Sequence, residues 1–191
     1  MNSLRILGLS LVMAVALSAC GSRTTTAQDK QFLLPYSPSQ PTVATSAPKL
    51  IVKTDLANHL SHHGLVFRTN ATEVVQAKQN QWAYSVKEQI NAFLVGSLRS
   101  KQSRYWTLAM NPVVELDEQP YLHVQFKEFN GAYTGNAELL GEWVLVDEQG
   151  TIVQTEYFQL RIPLAGEGYP ALVDALATGL TQLTDDIAKQ F

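Results

Sequence analysis

The chain has a single cysteine, Cys20, in 191 residues. One thiol cannot close a disulfide within the chain, so no covalent staple holds the fold together. Long apolar runs are scarce as well. The one near the N-terminus, Ile6 to Leu17, is broken by Gly8 and Ser10 and is only 12 residues long. A membrane-spanning helix needs roughly 20. No second run is long enough to cross a bilayer, and no segment repeats. Basic runs are missing too, with 14 Lys+Arg against 17 Asp+Glu. That mild acidity argues against nucleic acid and against a polybasic membrane patch. The sequence contains no Gly-x-Ser-x-Gly, no phosphate loop and no zincin helix.

The short N-terminal run has a specific layout. Met1-Asn2-Ser3-Leu4-Arg5 is a basic start, the apolar stretch follows, and Leu17-Ser18-Ala19 leads into Cys20. Charged start, apolar middle and small-residue end make a secretory signal. A cysteine directly after Leu-Ser-Ala makes it resemble a bacterial lipobox. In such signals the thiol takes a diacylglyceryl group, the peptide is cut before the cysteine, and the new amine is acylated. Residues 1–19 are therefore expected to be a signal peptide and Cys20 the lipidation site. Two acyl chains already hold a protein firmly on a membrane, and the modification would consume the only thiol, excluding thiol catalysis. Gly21 stands where inner-membrane lipoproteins usually carry aspartate, so the sorting rule points to the outer membrane, periplasmic face.

Residues 20–48 read as a tether and linker. Gly21 to Lys30 is polar, and ten extended residues reach at most about 35 Å. Phe32-Leu33-Leu34-Pro35 is apolar, so residues 32–36 are expected to lie against the domain. Ser37 to Pro48 holds three prolines and five Ser/Thr and reads as a loop. The domain proper is expected over 49–191.

Within it, Leu50-Ile51-Val52 begins a buried strand, and Val66–Thr69 and Glu73–Gln76 form two more around Asn70-Ala71. Ser85-x-x-Glu88 is a capping-box pattern. The apolar spacing of Val86, Ile90, Phe93, Leu94 and Leu98 predicts a helix to about Arg99. Tyr121 to Phe129 alternates, with Leu122, Val124 and Phe126 on one face and His123, Gln125 and Lys127 on the other. Ala137–Val146 and Ile152–Ile162 flank the turn Asp147-Glu148-Gln149-Gly150. Along the last strand Ile152, Phe158, Leu160 and Ile162 share a face with Gln154 and Glu156, which predicts a twisted or edge-exposed first half. Tyr169 to about Lys189 is a helix with Leu172, Val173, Leu176, Leu180, Leu183 and Ile187 in one stripe. The order β-β-β-α-β-β-β-α predicts an α+β fold, a mixed β-sheet packed by two α-helices in one compact domain.

Candidate chemistry is thin. His59, His62 and His63 cluster beside Asp55, but Gly64 follows at once and no helical period surrounds them, so a solvated loop is expected and no metal site. His123, alone on a polar face, reads as structural. Glu138 and Glu142 share a strand face but lie about 13 Å apart at ~3.3 Å per residue, too far for a glycosidase-like pair. A solvated face explains them. Trp82 and Trp143 read as core. No catalytic residue, cofactor or metal ligand is assigned, and an envelope hydrolase would rest on compartment alone.

Several segments, in order, carry a family resemblance: Phe32-Leu33-Leu34-Pro35, Leu60 to Gly64 leading into Leu65–Thr69, Asn80-Gln81-Trp82-Ala83, and the helix with Leu94 and Leu98. Glu128-Phe129-Asn130-Gly131-x-Tyr133-x-Gly135 and Gly141-Glu142-Trp143 complete the set. With the lipobox, they resemble the PqiC family of ABC-type transport auxiliary lipoproteins. His59 and Ala57 depart from it, standing where the family favours an aromatic residue and often proline. The resemblance implies a non-enzymatic outer-membrane lipoprotein that works with an inner-membrane, PqiB-like MCE-domain protein, whose tube moves lipids between membranes. The expected role is an adaptor holding that tube at the outer membrane, with a homo-oligomer around its end as a further expectation. A periplasmic lipid-binding carrier is the alternative. Phe129-Asn130-Gly131 and Trp82 are assigned to the fold, and Gly131 and Gly135 to a tight or left-handed strand connection.

Overall fold

The computed structural model of the chain describes residues 29–35, 46–110 and 119–191. The signal sequence, Cys20, the tether up to Gln28, Tyr36 and most of the Pro-rich loop lie outside the described residues. Among the described residues eight strands and two helices follow in order: β1 Lys30–Phe32, β2 Lys49–Leu56, β3 Gly64–Arg68, β4 Val74–Trp82, α1 Val86–Lys101, β5 Trp106–Ala109, β6 Tyr121–Ala132, β7 Asn136–Val146, β8 Ile152–Pro163 and α2 Gly168–Ala188. A 3-10 turn, Asn58–Leu60, links β2 to β3. The architecture is α+β, a mixed sheet with two helices on one face.

Three long antiparallel strands, β6, β7 and β8, form the body of the sheet. The other edge of β6 is divided between two parallel partners. Its first half pairs with β2, from Ile51↔Tyr121 to Leu56↔Phe126, and its end pairs with β3, at Phe67↔Gly131 and Arg68↔Ala132. Strand β5 extends the β2 branch, and β4 then β1 extend the β3 branch. The register slips between Phe126 and Glu128. Lys127 is thus the extra residue of a bulge, which swaps the faces beyond it. Leu122, Val124 and Phe126 point towards the helices, and after the bulge Phe129 does so too, its ring 5.7 Å from that of Phe126.

Both helices bury the stripes their spacing predicts. Ile90, Leu94 and Leu98 of α1 and Leu180 and Ile187 of α2 are fully buried, as are Leu122, Phe126 and Leu139 beneath them. Each such side chain contributes about 1.5–3 kcal/mol by leaving water. Ser85 caps α1 by accepting the Glu88 N–H, 3.5 Å. Strands β1 and β5 are additions to the expected six. At three and four residues they are too short to show a period-two pattern, and only their neighbours make them strands. On β8 a second slip, between Leu145 and Val146, leaves Ile152 and Gln154 on opposite faces. The shared face expected for those two residues is corrected accordingly.

The segment after β1 is fastened to α1. Leu34 is buried, and its N–H donates to Gln89 Oε1 at 2.8 Å. The Gln89 amide nitrogen donates in turn to the Tyr84 carbonyl, 3.1 Å. Gln89 and Leu34 are both buried, so the bond between them is shielded from water, and the bond to Tyr84 is partly shielded. Gln89→Ala leaves a buried N–H and a carbonyl without partners and should cost about 1–3 kcal/mol. Urea unfolding should read that loss, and limited proteolysis should cut sooner between Asp29 and Pro35; an unchanged midpoint would contradict the role given to Gln89.

Candidate functional site

The face of the sheet away from the helices carries a lattice of charges. Arg68 of β3 bonds Glu128 of β6, and its second nitrogen lies 3.6 Å from Glu138 of β7. Arg161 of β8 approaches Glu138 from the other side, 3.7 Å. Glu142 meets Lys127 at 3.8 Å, and Lys127 also lies over the Tyr157 ring, 5.7 Å from its centre. Glu138 is only 8% exposed, so the solvated surface expected for it is corrected: its carboxylate is buried between two guanidinium groups. Each of these carboxylates is matched by a cation, an arrangement for holding strands together.

A second cluster centres on Asp55. Lys87 at the start of α1 bonds one carboxylate oxygen at 2.8 Å. His123 Nε2 lies 2.9 Å from the other oxygen, and Lys53 stands 3.4 Å away. Partial burial alone would raise the Asp55 carboxyl. Hydrogen bonding to Lys87 and His123 and the charges of Lys87 and Lys53 outweigh it and bring the group down to about 2.

The three clustered histidines lie on the 3-10 turn and the bend after it. There the backbone is what holds: the His59 carbonyl accepts from Gln76 Nε2 at 3.0 Å and the His63 carbonyl from the Trp82 N–H at 2.7 Å. Among the described residues no group of three or more His, Cys, Asp or Glu side chains could hold a metal ion. Trp82 and Trp143 are buried, Trp82 against Phe129 with ring centres 6.3 Å apart. Cys20 lies outside the described residues.

A further feature leaves no mark in the sequence. Phe67 of β3, Leu164 after β8, and Gly168, Tyr169 and Leu172 at the start of α2 line an apolar cleft of about 260 Å³. Its residues come from three separated segments, so no local period announces it. The rim is tied by backbone bonds from Tyr133 N–H to the Arg68 carbonyl, 2.9 Å, and from Leu164 N–H to the Gly135 carbonyl, 3.1 Å. Gly135 takes the positive φ of +80° that its turn requires. The expectation of a tight or left-handed backbone does not fit Gly131, which is needed for closeness instead. A Cβ there would come within 2.6 Å of the Phe67 ring and 3.1 Å of Leu172.

Comparison with known proteins fits this fold. The family model described as ABC-type transport auxiliary lipoprotein component matches residues 32–188. The chain belongs to that family. It is 30% identical, over 95% of both chains, to the intermembrane transport lipoprotein PqiC of Escherichia coli (strain K12), and equally to that of Shigella flexneri. A crystal structure of an uncharacterized protein superposes with a TM-score of 0.71 at 25% identity, covering 85% of this chain and 98% of that one. A protein from Xanthomonas campestris shares the fold at 16% identity and a TM-score of 0.61, over 84% of this chain and 90% of its own. These PqiC-family assignments rest on the whole domain, from β1 to α2. Among the described residues no helix is long and apolar enough to cross a membrane.

Two outcomes follow for the charged face. The Asp55 carboxyl is depressed when folded, so its contribution to stability is complete above about pH 4 and is lost as pH falls towards 2. Asp55→Asn should lower stability at pH 7, with the difference from the wild-type chain closing over that window in a pH series of urea melts. Arg68→Ala strands Glu128 and the buried Glu138. It should cost about 2–3 kcal/mol, more than the ~1 of an exposed pair and less than the ~3–5 of a fully buried one. Arg68→Lys should restore under half of that loss in the same melts, because an ammonium cannot fork between two carboxylates.

Proposed function

We propose that the chain is an outer-membrane lipoprotein subunit of an MCE-type intermembrane lipid transport system. It acts as a periplasmic adaptor that docks the MCE tube at the outer membrane and so supports envelope integrity. The observation that carries this reading is the match of the folded domain, residues 32–188, to the auxiliary lipoprotein family, behind a lipobox ending at Cys20. In this reading 1–19 is removed, Cys20 carries the acyl chains, and the residues up to 48 join the anchor to the domain. The domain gives the partner a rigid body to meet. Assembly of several copies around the tube's end is part of the proposal. Strand β8 favours it: among the described residues nothing pairs with its outer edge, and Ile152, Val153 and Tyr157 along it are exposed. A long open edge of this kind is a surface that another chain can cover.

The carrier alternative is less well supported. A pocket that encloses a small ligand usually measures about 300–1,000 Å³; the apolar cleft, at about 260 Å³, has no room for a two-chain lipid, and the larger groove beside it, about 460 Å³, carries Glu167 and Asp174 in its lining, which acyl chains do not match.

Affinity capture from solubilised membranes with the lipidated wild-type chain should recover an MCE-domain protein; its absence would overturn the adaptor reading. Cys20→Ala should stop palmitate incorporation, release the protein from the membrane fraction and abolish adaptor function. The thermal midpoint of the domain should hardly move, because its buried cluster is built from side chains between Leu34 and Ile187. Palmitate retained by that variant would place the anchor elsewhere.

A further inference from the structure

The adaptor reading leaves the apolar cleft at the start of α2 without a task. Phe67, Leu164, Gly168, Tyr169 and Leu172 line it, and none of them is charged. Gly131 keeps it open. Because glycine has no side chain, the Phe67 ring lies down against β6, where a Cβ would come within 2.6 Å of it and lift it into the space. A dry apolar cavity of about 150 Å³ holds one benzene molecule. By that measure 260 Å³ suits a single hydrocarbon segment of roughly ten carbons. That is the far end of one acyl chain.

The position of the cleft says which chain. Tyr169, one of its walls, also meets Phe32 of β1, ring centres 6.4 Å apart. Strand β1 is where the polypeptide arrives from Cys20, and only nine residues separate Cys20 from Lys30. A link of that length reaches at most ~35 Å, and about half of that as a coil. Anything bonded to Cys20 is therefore held beside the cleft at a high effective concentration, of millimolar order for a short flexible link. We infer that the cleft receives one of the acyl chains carried by Cys20 of the same polypeptide. This rests on the lipidation of Cys20 proposed above, and not on the MCE partner. Moving the chain end from bilayer to cleft exchanges one apolar surrounding for another, so neither state is strongly favoured and the exchange stays reversible. Chains left in the bilayer would still hold the protein, since two suffice. With one chain withdrawn into the cleft, the domain is drawn down to the membrane with the start of α2 facing it.

The test uses the full chain in its own membranes. Cells are fed palmitate carrying a diazirine near its methyl end, the membranes are irradiated, and cross-linked peptides are mapped by mass spectrometry. The expected product joins the acylated Cys20 peptide to peptides containing Phe67, Leu164 or Tyr169. Leu164→Trp, which fills the cleft, should reduce that product by about tenfold; Gly131→Ala, which lifts Phe67 into it, should do the same. Thermal melts identify whichever variant stays folded. Adducts of phospholipid at those residues, without the Cys20 peptide, would overturn the inference in favour of a free lipid. Cross-links confined to bilayer lipids, or untouched by a folded Leu164→Trp variant, would overturn it outright. A Cys20 peptide carrying no label would defeat the anchor itself, whereas failure to capture an MCE protein would leave the cross-link result standing.

Discussion

The bulge at Lys127 is the constraint on which the rest of the sheet depends. Strand β6 has 12 residues and must serve β7 along one edge while dividing the other between β2 and β3. An unbroken period of two would send Phe129 to the charged face and Glu128 under the helices. Burying that carboxylate without a partner would cost several kcal/mol. The extra residue swaps the faces at this point. It puts Phe129 in the core beside Phe126 and Trp82, brings Glu128 to Arg68, and turns Gly131 towards Phe67. The core, the ion pairs and the floor of the cleft thus share one cause.

The two faces of the sheet follow different rules. Towards the helices, stability comes from area: leucines, valines and aromatic rings from β6, β7, α1 and α2 form one continuous cluster. On the other face long side chains pair across strands, with Arg68, Glu138 and Arg161 linking β3, β7 and β8. Such pairs add little when solvated. They matter here because Glu138 is nearly shielded from water, so the loss of a partner is expensive while the intact lattice fixes strand order and register.

How much of this could be read from the chain depends on how local each cause is. Both helices were legible, since a stripe repeating every three or four residues and a serine cap are statements about neighbours in sequence. The long strands β6, β7 and β8 were legible for the same reason. Strands β1 and β5 were not, because a Lys-Gln-Phe or Trp-Thr-Leu-Ala segment becomes a strand only when a neighbour offers its edge. The burial of Glu138 was hidden in the same way: Arg68 and Arg161 are distant in sequence and meet it only across the sheet. The cleft was least legible of all, assembled from three segments and kept open by an absent side chain at Gly131.

The position of β1 has a consequence for reach. If the domain began at Lys49, 29 residue steps would separate it from Cys20, enough to extend to about 100 Å. Pairing of β1 with β4 and the bond from Leu34 to Gln89 fix the chain from Lys30 onwards, which leaves ten steps to Cys20 and a reach of at most about 35 Å. A lipoprotein that had to search the periplasm would gain from the longer leash. One that has to hold a partner at a fixed height above the membrane gains from the shorter, and the buried Gln89 is what keeps it short. With Cys20 acylated as proposed, the same shortening would limit both the domain's height above the membrane and how far an acyl chain could stray from the cleft.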